Sequence, residues 1–145
     1  MKQNGKQVSI QLNTKIEDQG NVESNHVKQV GQFFKRNNMD VLVYEEELEE
    51  GAIIKNLVTI QPDKVNIKRS GTIAMNQQFR VDQITETHYE HPHGAFHMET
   101  YTQKVTYESL ETNRQGRLAI DYTVKLNGMN ERKHLLELIY KENAE

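Results

Sequence analysis

The sequence contains no cysteine, no tryptophan and only two prolines among its 145 residues. Without cysteine there can be no disulfide, no thiolate metal site and no cysteine nucleophile. The apolar stretches fall far short of the roughly 20 residues of a membrane-spanning helix. Residues 1–6 are polar and lack the apolar centre of a signal peptide. The net charge of −3 gives no basic surplus for nucleic acid. We therefore expect a cytoplasmic protein that binds neither nucleic acid nor membrane.

Apolar residues instead alternate with mostly polar ones along much of the chain. Residues 8, 10, 12 and 16 are apolar, and the same pattern returns within 118–126 and 136–140. A period of two sends one set of side chains to one face of a β-strand, whereas a helix needs a period of about 3.6. The alternation therefore predicts strands. It also explains why hydrophobic residues make up only 35% of the chain, because only one face has to be buried.

Turn-forming residues divide this pattern into short segments. Asn127-Gly128 is the strongest hairpin signal, and turn residues recur about every ten positions, as in all-β sandwiches and barrels. The predicted strands are 6–17, 22–35, 40–47, 52–60, 64–69, 72–80, 82–90, 95–108, 117–126 and 133–141. Closing such a sheet removes its exposed edges. We predict one domain, residues 1–145, folded as an antiparallel up-and-down closed β-barrel of about 8–10 strands, with a two-sheet sandwich as the alternative.

One charged residue interrupts the apolar face. Arg69 continues the stripe formed by Val65, Ile67, Ile73 and Met75. If this stripe faces inwards, the guanidinium needs a carboxylate, a carbonyl or an anionic ligand, because burying an unpaired charge is costly. In the other interpretation, Arg69 reaches the rim of the barrel from the end of its strand.

The other polar residues near the inner face have structural interpretations. Tyr89 and Tyr122 would bury their rings in the core and bond their hydroxyls to a partner. His134 begins its strand and is expected at a rim rather than in a site. Leu135 and Ile139 fall on the opposite face, where they suggest a covering segment or a self-association surface.

Four of the six histidines are clustered, at His88, His91, His93 and His97. Imidazole is a common metal ligand, but residues 91–94 are typical of a turn. His88 and His97 would then lie on two flanking strands and face outwards. Because no spacing matches a known zinc motif, we predict a polar hairpin and no metal site.

No catalytic or phosphate-binding motif is present: the nucleophile elbow, the phosphate loop and the dinucleotide glycine motif are all missing. The acidic run at 45–50 supplies carboxylates without an evident metal geometry, and we interpret it as a solvated hairpin end. These features predict a protein that is not an enzyme and needs no cofactor.

From Ile67 onwards the chain resembles the YwiB-like family of uncharacterised bacterial proteins. The most specific elements are Arg69-Ser70-Gly71 and the hairpin leading from Tyr89 to Pro92-His93-Gly94; further matching residues are Met75, Phe79, Met98, Gly116, Arg117, Leu118 and Tyr122. The resemblance covers nearly the whole chain and implies a calycin-like, lipocalin-like β-barrel. It implies no activity. The lipocalin Gly-x-Trp signature is absent, so the ligands of true lipocalins are not carried over.

We predict a non-catalytic module that binds a small anionic or amphipathic molecule inside the barrel. Arg69 would pair with a head group, and the cavity would be lined by Met75, Phe79, Tyr89, Met98 and Tyr122. The first alternative is a structural or interaction protein that acts through its surface or as a homodimer. The second is a metal-assisted enzyme at the hairpin from His88 to His97.

Overall fold

The computed structural model describes residues 5–48, 51–92, 94–109 and 115–142. Over these ranges the chain forms ten strands: β1 (Lys6–Asp18), β2 (Asn21–Arg36), β3 (Met39–Glu47), β4 (Ile53–Ile60), β5 (Val65–Gly71), β6 (Met75–Phe79), β7 (Ile84–His91), β8 (Gly94–Glu108), β9 (Gln115–Leu126) and β10 (Arg132–Glu142). Each of the ten predicted segments is a strand, with ends that differ by at most three residues. Within the described ranges, no helix is long and apolar enough to cross a membrane.

The strands form one antiparallel sheet that curls round until the first strand meets the last. Each strand pairs with its neighbours in the chain except at a single seam, and β1 pairs with β10 from Val8 opposite Glu142 to Glu17 opposite Lys133. The order around the sheet is β6-β5-β4-β3-β2-β1-β10-β9-β8-β7. This is an up-and-down barrel, so the predicted architecture is confirmed and the sandwich alternative is not.

The seam lies between β6 and β7, and it is closed by few bonds. Ala74 and Glu90 exchange backbone hydrogen bonds of 3.0 and 2.8 Å. Two threonine hydroxyls on β7 donate to backbone oxygens of β6, Thr85 to Gln78 at 2.6 Å and Thr87 to Asn76 at 3.2 Å. These side-chain bonds satisfy some of the backbone oxygens of β6 that a continuous β-ladder would pair. With them, the barrel is nearly closed.

The predicted hairpin at Asn127-Gly128 has the backbone such a tight turn requires. Both residues adopt positive φ angles, 50° and 71°, and glycine and asparagine reach this left-handed region at least cost. Three other predicted turns, at 50–51, 91–94 and 113–116, lie partly outside the described residues.

The core lies on the inner face, and the buried residues of most strands occupy alternate positions. On β9, Leu118, Ile120, Tyr122 and Val124 alternate with less buried neighbours such as Asp121. Each fully buried aliphatic or aromatic side chain contributes about 1.5–3 kcal/mol. The alternation seen in the sequence therefore sets which face points inwards and where the core forms.

Candidate functional site

A cavity of about 610 Å³ occupies one half of the barrel interior. Every strand contributes at least one inward-facing residue to its wall: Leu12, Val27, Tyr44, Asn56, Ile67, Met75, Tyr89, Met98, Val124 and Leu136. We call this half the Arg69 end, since Arg69 is the cation held deepest in it. The volume falls within the range of small-molecule sites, which is about 300–1,000 Å³.

Three polar side chains from adjacent strands form a closed network on one wall of the cavity. Arg69 donates from Nη2 to Oε1 of Glu46 at 3.0 Å and from Nε to Oδ1 of Asn56 at 3.1 Å. Asn56 donates from Nδ2 to the same Glu46 oxygen at 2.9 Å. The side chains of Arg69 and Glu46 are 28% and 15% exposed, and Asn56 is 2% exposed. The guanidinium of Arg69 is therefore paired with a carboxylate of the protein itself.

Strand register brings this network together. Asn56 on β4 lies opposite both Tyr44 on β3 and Arg69 on β5. Glu46 follows Tyr44 by two residues and so shares its inner face. The prediction that the run at 45–50 is solvated is therefore wrong for Glu46, while Glu45 and Glu47 are exposed as expected. Residues 49 and 50 lie outside the described part of the chain.

Two buried tyrosines border the same space. Burial raises the pKa of Tyr44, and the charge of Glu46 raises it further while Arg69 opposes both. Burial also raises the pKa of Tyr122, again opposed by Arg69. Both phenols are therefore neutral hydrogen-bonding groups at physiological pH and add no charge to the cavity.

His134 also lines the cavity, although its position at the start of a strand predicts a rim. Its ring stacks on Tyr122, with centroids 4.9 Å apart and planes inclined by 26°. Burial, aided by the charge of Arg132, lowers the pKa of His134 from 6.5 to about 4. The imidazole is therefore uncharged near pH 7.

Exposed residues mark where the cavity opens to solvent. Asn25 and His26 come from the start of β2, and Met129 and Asn130 come from the turn between β9 and β10. Arg132 completes this rim and pairs through Nε with Oδ2 of Asp18 at 3.3 Å. Because both partners are well exposed, solvent screens that ion pair.

Five of the six residues predicted to contact a ligand border this cavity. Arg69 and the half-buried Met75 and Tyr89 lie along its wall together with the buried Met98 and Tyr122. Phe79 does not: it is fully buried, packs edge-on against Tyr122 with centroids 4.8 Å apart, and faces the other half of the barrel.

Sequence reasoning missed four polar residues of the cavity wall: Glu46, Asn56, Gln77 and His134. Glu46 could have been found, because it continues the alternation of Leu42 and Tyr44 on β3. Gln77 carries the same signal, because it stands between Met75 and Phe79 on β6, but its partner is not predictable: its Nε2 donates to Thr100 at 2.9 Å in the buried interior. Its role depends on a residue 23 positions away in the chain.

The histidine hairpin lies on the outer surface. His88 and His97 face each other across β7 and β8 with ring centroids 6.0 Å apart, and Nε2 of His97 lies 2.7 Å from Oε1 of Glu86. Among the described residues, no group of three histidine, cysteine, aspartate or glutamate side chains is placed to hold a metal ion. The side chain of His91 and the whole of His93 lie outside that description.

In the opposite half of the barrel, which we call the Asp40 end, aromatic rings pack against one another. Tyr140 stacks on Phe33 with centroids 5.3 Å apart, and its hydroxyl bonds to that of Tyr107. Tyr107 donates to Oδ2 of Asp40 at 2.5 Å, and Ser109 donates to the same oxygen at 3.1 Å. Burial, then the bonds to Asp40 and Tyr140, raise the pKa of Tyr107.

A second cavity of about 610 Å³ lies at the Asp40 end. It runs between the β2–β3 turn at Asn37 and Asn38 and the β4–β5 turn at 61–64, with the buried Asp40 and Phe79 at its base. Of these two cavities, the one at the Arg69 end is lined by all ten strands of the described chain and the other by fewer. We therefore take that cavity as the candidate site, although the two volumes are equal.

Comparisons with known proteins agree with this architecture. Residues 10–138 match a family described as a domain of unknown function, DUF1934. The chain belongs to this family. It is 28% identical over 134 residues to the uncharacterized β-barrel protein YwiB of Bacillus subtilis (strain 168), a match that covers 92% of each chain. The crystal structure of the ywiB protein from Bacillus subtilis superimposes with a TM-score of 0.87 at 25% identity, covering 98% of this chain and 96% of that one.

The family membership confirms the resemblance inferred from the sequence. The Bacillus subtilis relative is described by its β-barrel and not by a ligand or a reaction, and the family is described as one of unknown function. The function of this protein therefore has to be argued from its own side chains.

Proposed function

We propose that this DUF1934 protein is a non-catalytic barrel that binds one small amphipathic molecule at the Arg69 end. The observation that carries the proposal is the cavity of about 610 Å³ lined by all ten strands. Its wall combines apolar side chains such as Met75 and Met98 with one polar network around Arg69. A mostly apolar wall with a few convergent polar groups is the usual composition of a ligand site.

The test uses a small uncharged fluorophore, 1-aminoanthracene, whose emission rises when it leaves water. We expect saturable binding of about one molecule per chain. In the Leu12→Trp variant the larger ring enters the cavity, and the affinity is expected to fall by about tenfold or more because the ligand volume is lost. The protein has no other tryptophan, so the new ring also reports on its own surroundings.

Lys15→Trp is the matched control, because Lys15 is exposed on the same strand. This variant is expected to bind the fluorophore like the natural protein. Emission that does not saturate, or equal affinity in both tryptophan variants and the natural protein, would contradict binding inside the barrel.

A homodimer is the second candidate, and the outer face of β10 favours it. Leu135 is 41% exposed there, and the half-buried Ile139 lies on the same face. The pocket beside Leu135, of about 370 Å³, is lined by charged residues that include Lys15, Arg117 and Glu137. A stable interface needs about 1,000 Å² of buried surface. Sedimentation of a strict monomer at high protein concentration would eliminate this candidate.

A further inference from the structure

The cavity at the Arg69 end carries no net charge in its depth. Glu46 and Arg69 neutralise each other across 3.0 Å. Arg132 lies at the exposed rim and is paired with Asp18. His134 is neutral near pH 7, since burial lowers its pKa to about 4. In the sequence, Arg69 suggests an anionic ligand. In the structure, its positive charge is already compensated by Glu46.

A charged ligand would disturb this balance. A carboxylate beside Arg69 would also lie beside Glu46, so two negative groups would share one guanidinium in a poorly solvated space. The two carboxylates would repel each other, and the ligand would lose its hydration without gaining an unshared positive partner. A cation would meet the same difficulty with Arg69. The pair therefore discriminates against ligands of either charge.

The same pair offers two complementary hydrogen-bonding atoms. Nη2 and Nε of Arg69 and Oε1 of Glu46 are used within the network. No bond joins Nη1 of Arg69 or Oε2 of Glu46 to any other residue in the described ranges. One of these atoms is a donor and the other an acceptor. Both side chains border the cavity, so a ligand there meets both groups on one wall.

An apolar surface adjoins this polar wall. Met75 is the cross-strand partner of Arg69, and both line the cavity with Met98 and Tyr89. The polar end of a ligand can therefore face Arg69 and Glu46 while its apolar body contacts methionine and aromatic side chains, which adapt well to varied shapes.

Resting on the proposed function, we propose that the cavity selects an uncharged amphipathic molecule whose polar end carries a hydrogen-bond donor beside an acceptor. A carboxamide or lactam has this arrangement, since its carbonyl accepts from Arg69 and its N–H donates to Glu46. The corresponding carboxylate offers only acceptors, and an ester offers an acceptor without a donor. A site built for a donor rejects the analogue that leaves its buried acceptor unpaired.

The test compares by calorimetry three compounds that share a 3-phenylpropyl body: 4-phenylbutanamide, 4-phenylbutanoate and methyl 4-phenylbutanoate. At about pH 7.5 the carboxylic acid is ionised. The amide is expected to bind about tenfold or more tightly than the carboxylate, with the ester weaker than the amide. Carboxylate binding as tight as amide binding would overturn the inference, and so would ester binding equal to amide binding.

The Glu46→Gln variant tests the mechanism. Glutamine keeps the size of the side chain and can still bond to Arg69 and Asn56, but it removes the compensating charge. We expect the preference to reverse, so that the carboxylate binds more tightly than the amide. Glu47→Gln is the matched control, because Glu47 is exposed on the same strand; it is expected to keep the natural preference. An unchanged preference in a folded Glu46→Gln variant would overturn the inference.

The two proposals fail in different ways. If 1-aminoanthracene binds inside the barrel but none of the three compounds does, the ligand class is wrong and the proposed function stands. If neither the fluorophore nor any of the three compounds binds, the proposed function is wrong, and the ligand class fails with it. The comparison among the three compounds uses the natural protein, so it does not depend on the folding of any variant.

Discussion

The Arg69 end and the Asp40 end both place a carboxylate of strand β3 on the inner face, but they surround it differently. Asp40 and Glu46 are six residues apart, which corresponds to roughly 20 Å along the strand. Asp40 accepts two hydroxyl bonds and lies 3.5 Å from Nζ of Lys35. Glu46 is bonded to a guanidinium and an amide beside empty space.

This difference shows how one fold surrounds the two cavities of its interior in different ways. At the Asp40 end, the rings of Phe33 and Tyr140 stack on each other, two hydroxyls bond to Asp40, and the cavity is bordered by turns as well as strands. At the Arg69 end, the polar groups satisfy one another on the wall and leave the centre open.

The largest expected effect comes from adding one methyl group at the Asp40 end. In Gly116→Ala, the new Cβ would lie 2.0 Å from Cζ of Tyr140. The ring cannot move freely, because it stacks on Phe33 and bonds to Tyr107. We expect the free energy of unfolding, measured by urea denaturation, to fall by about 3 kcal/mol.

A double variant identifies the cause. When Tyr140→Leu removes the ring, the added cost of Gly116→Ala is expected to shrink, since the clash is gone. Equal costs in the two backgrounds would mean that the glycine is needed for another reason. By contrast, Leu12→Trp adds more atoms at the Arg69 end and is expected to cost less than about 1 kcal/mol, because it fills open space.

The next effect is a pH dependence that belongs to the Arg69 end. The folded pKa of His134 is about 4, against 6.5 for a free histidine. Between these values the unfolded chain binds more protons than the folded one. The contribution of His134 to the free energy of unfolding is therefore fully present above pH 6.5 and is lost as the pH falls towards 4. The loss is expected to reach about 2–3 kcal/mol. Urea denaturation at several pH values measures it.

The His134→Phe variant isolates this contribution. Phenylalanine can still stack on Tyr122 but cannot titrate, so the loss between pH 6.5 and 4 should be smaller than in the natural protein by the amount assigned to His134. In Arg132→Gln the folded pKa should rise, because a neighbouring positive charge is removed. Identical pH profiles for the natural protein and His134→Phe would contradict this account.

The smallest effect compares one hydroxyl at each end. Tyr107→Phe removes the donor to Asp40 and the contact with Tyr140, and it is expected to cost about 1–2 kcal/mol of unfolding free energy. Tyr122→Phe removes a hydroxyl that bonds to no other residue in the described ranges and should cost clearly less. Thermal or urea denaturation of both variants measures the two costs. A larger cost for Tyr122→Phe than for Tyr107→Phe would contradict this prediction.

Much of the fold follows from local sequence patterns. The alternation of Leu118, Ile120 and Tyr122, and the turn at Asn127-Gly128, specify strands, inner faces and hairpins. Arg69 and Tyr122 were also identified as candidate site residues, because they occupy inner-face positions. The pairing of Glu46 with Arg69 was not predicted, since it depends on which strands become neighbours and in which register.

An all-β barrel follows from the sequence alone, because a period of two and closely spaced turns depend on residues near one another in the chain. The location of the cavity that every strand borders follows only from the tertiary structure. That outcome depends on side chains from all ten strands meeting across the interior. It also depends on glycine at position 116 lying opposite Tyr140, where it makes room for the ring. These contacts between strands set the volume of the cavity and the balance of charge within it, and neither quantity can be obtained from one strand alone.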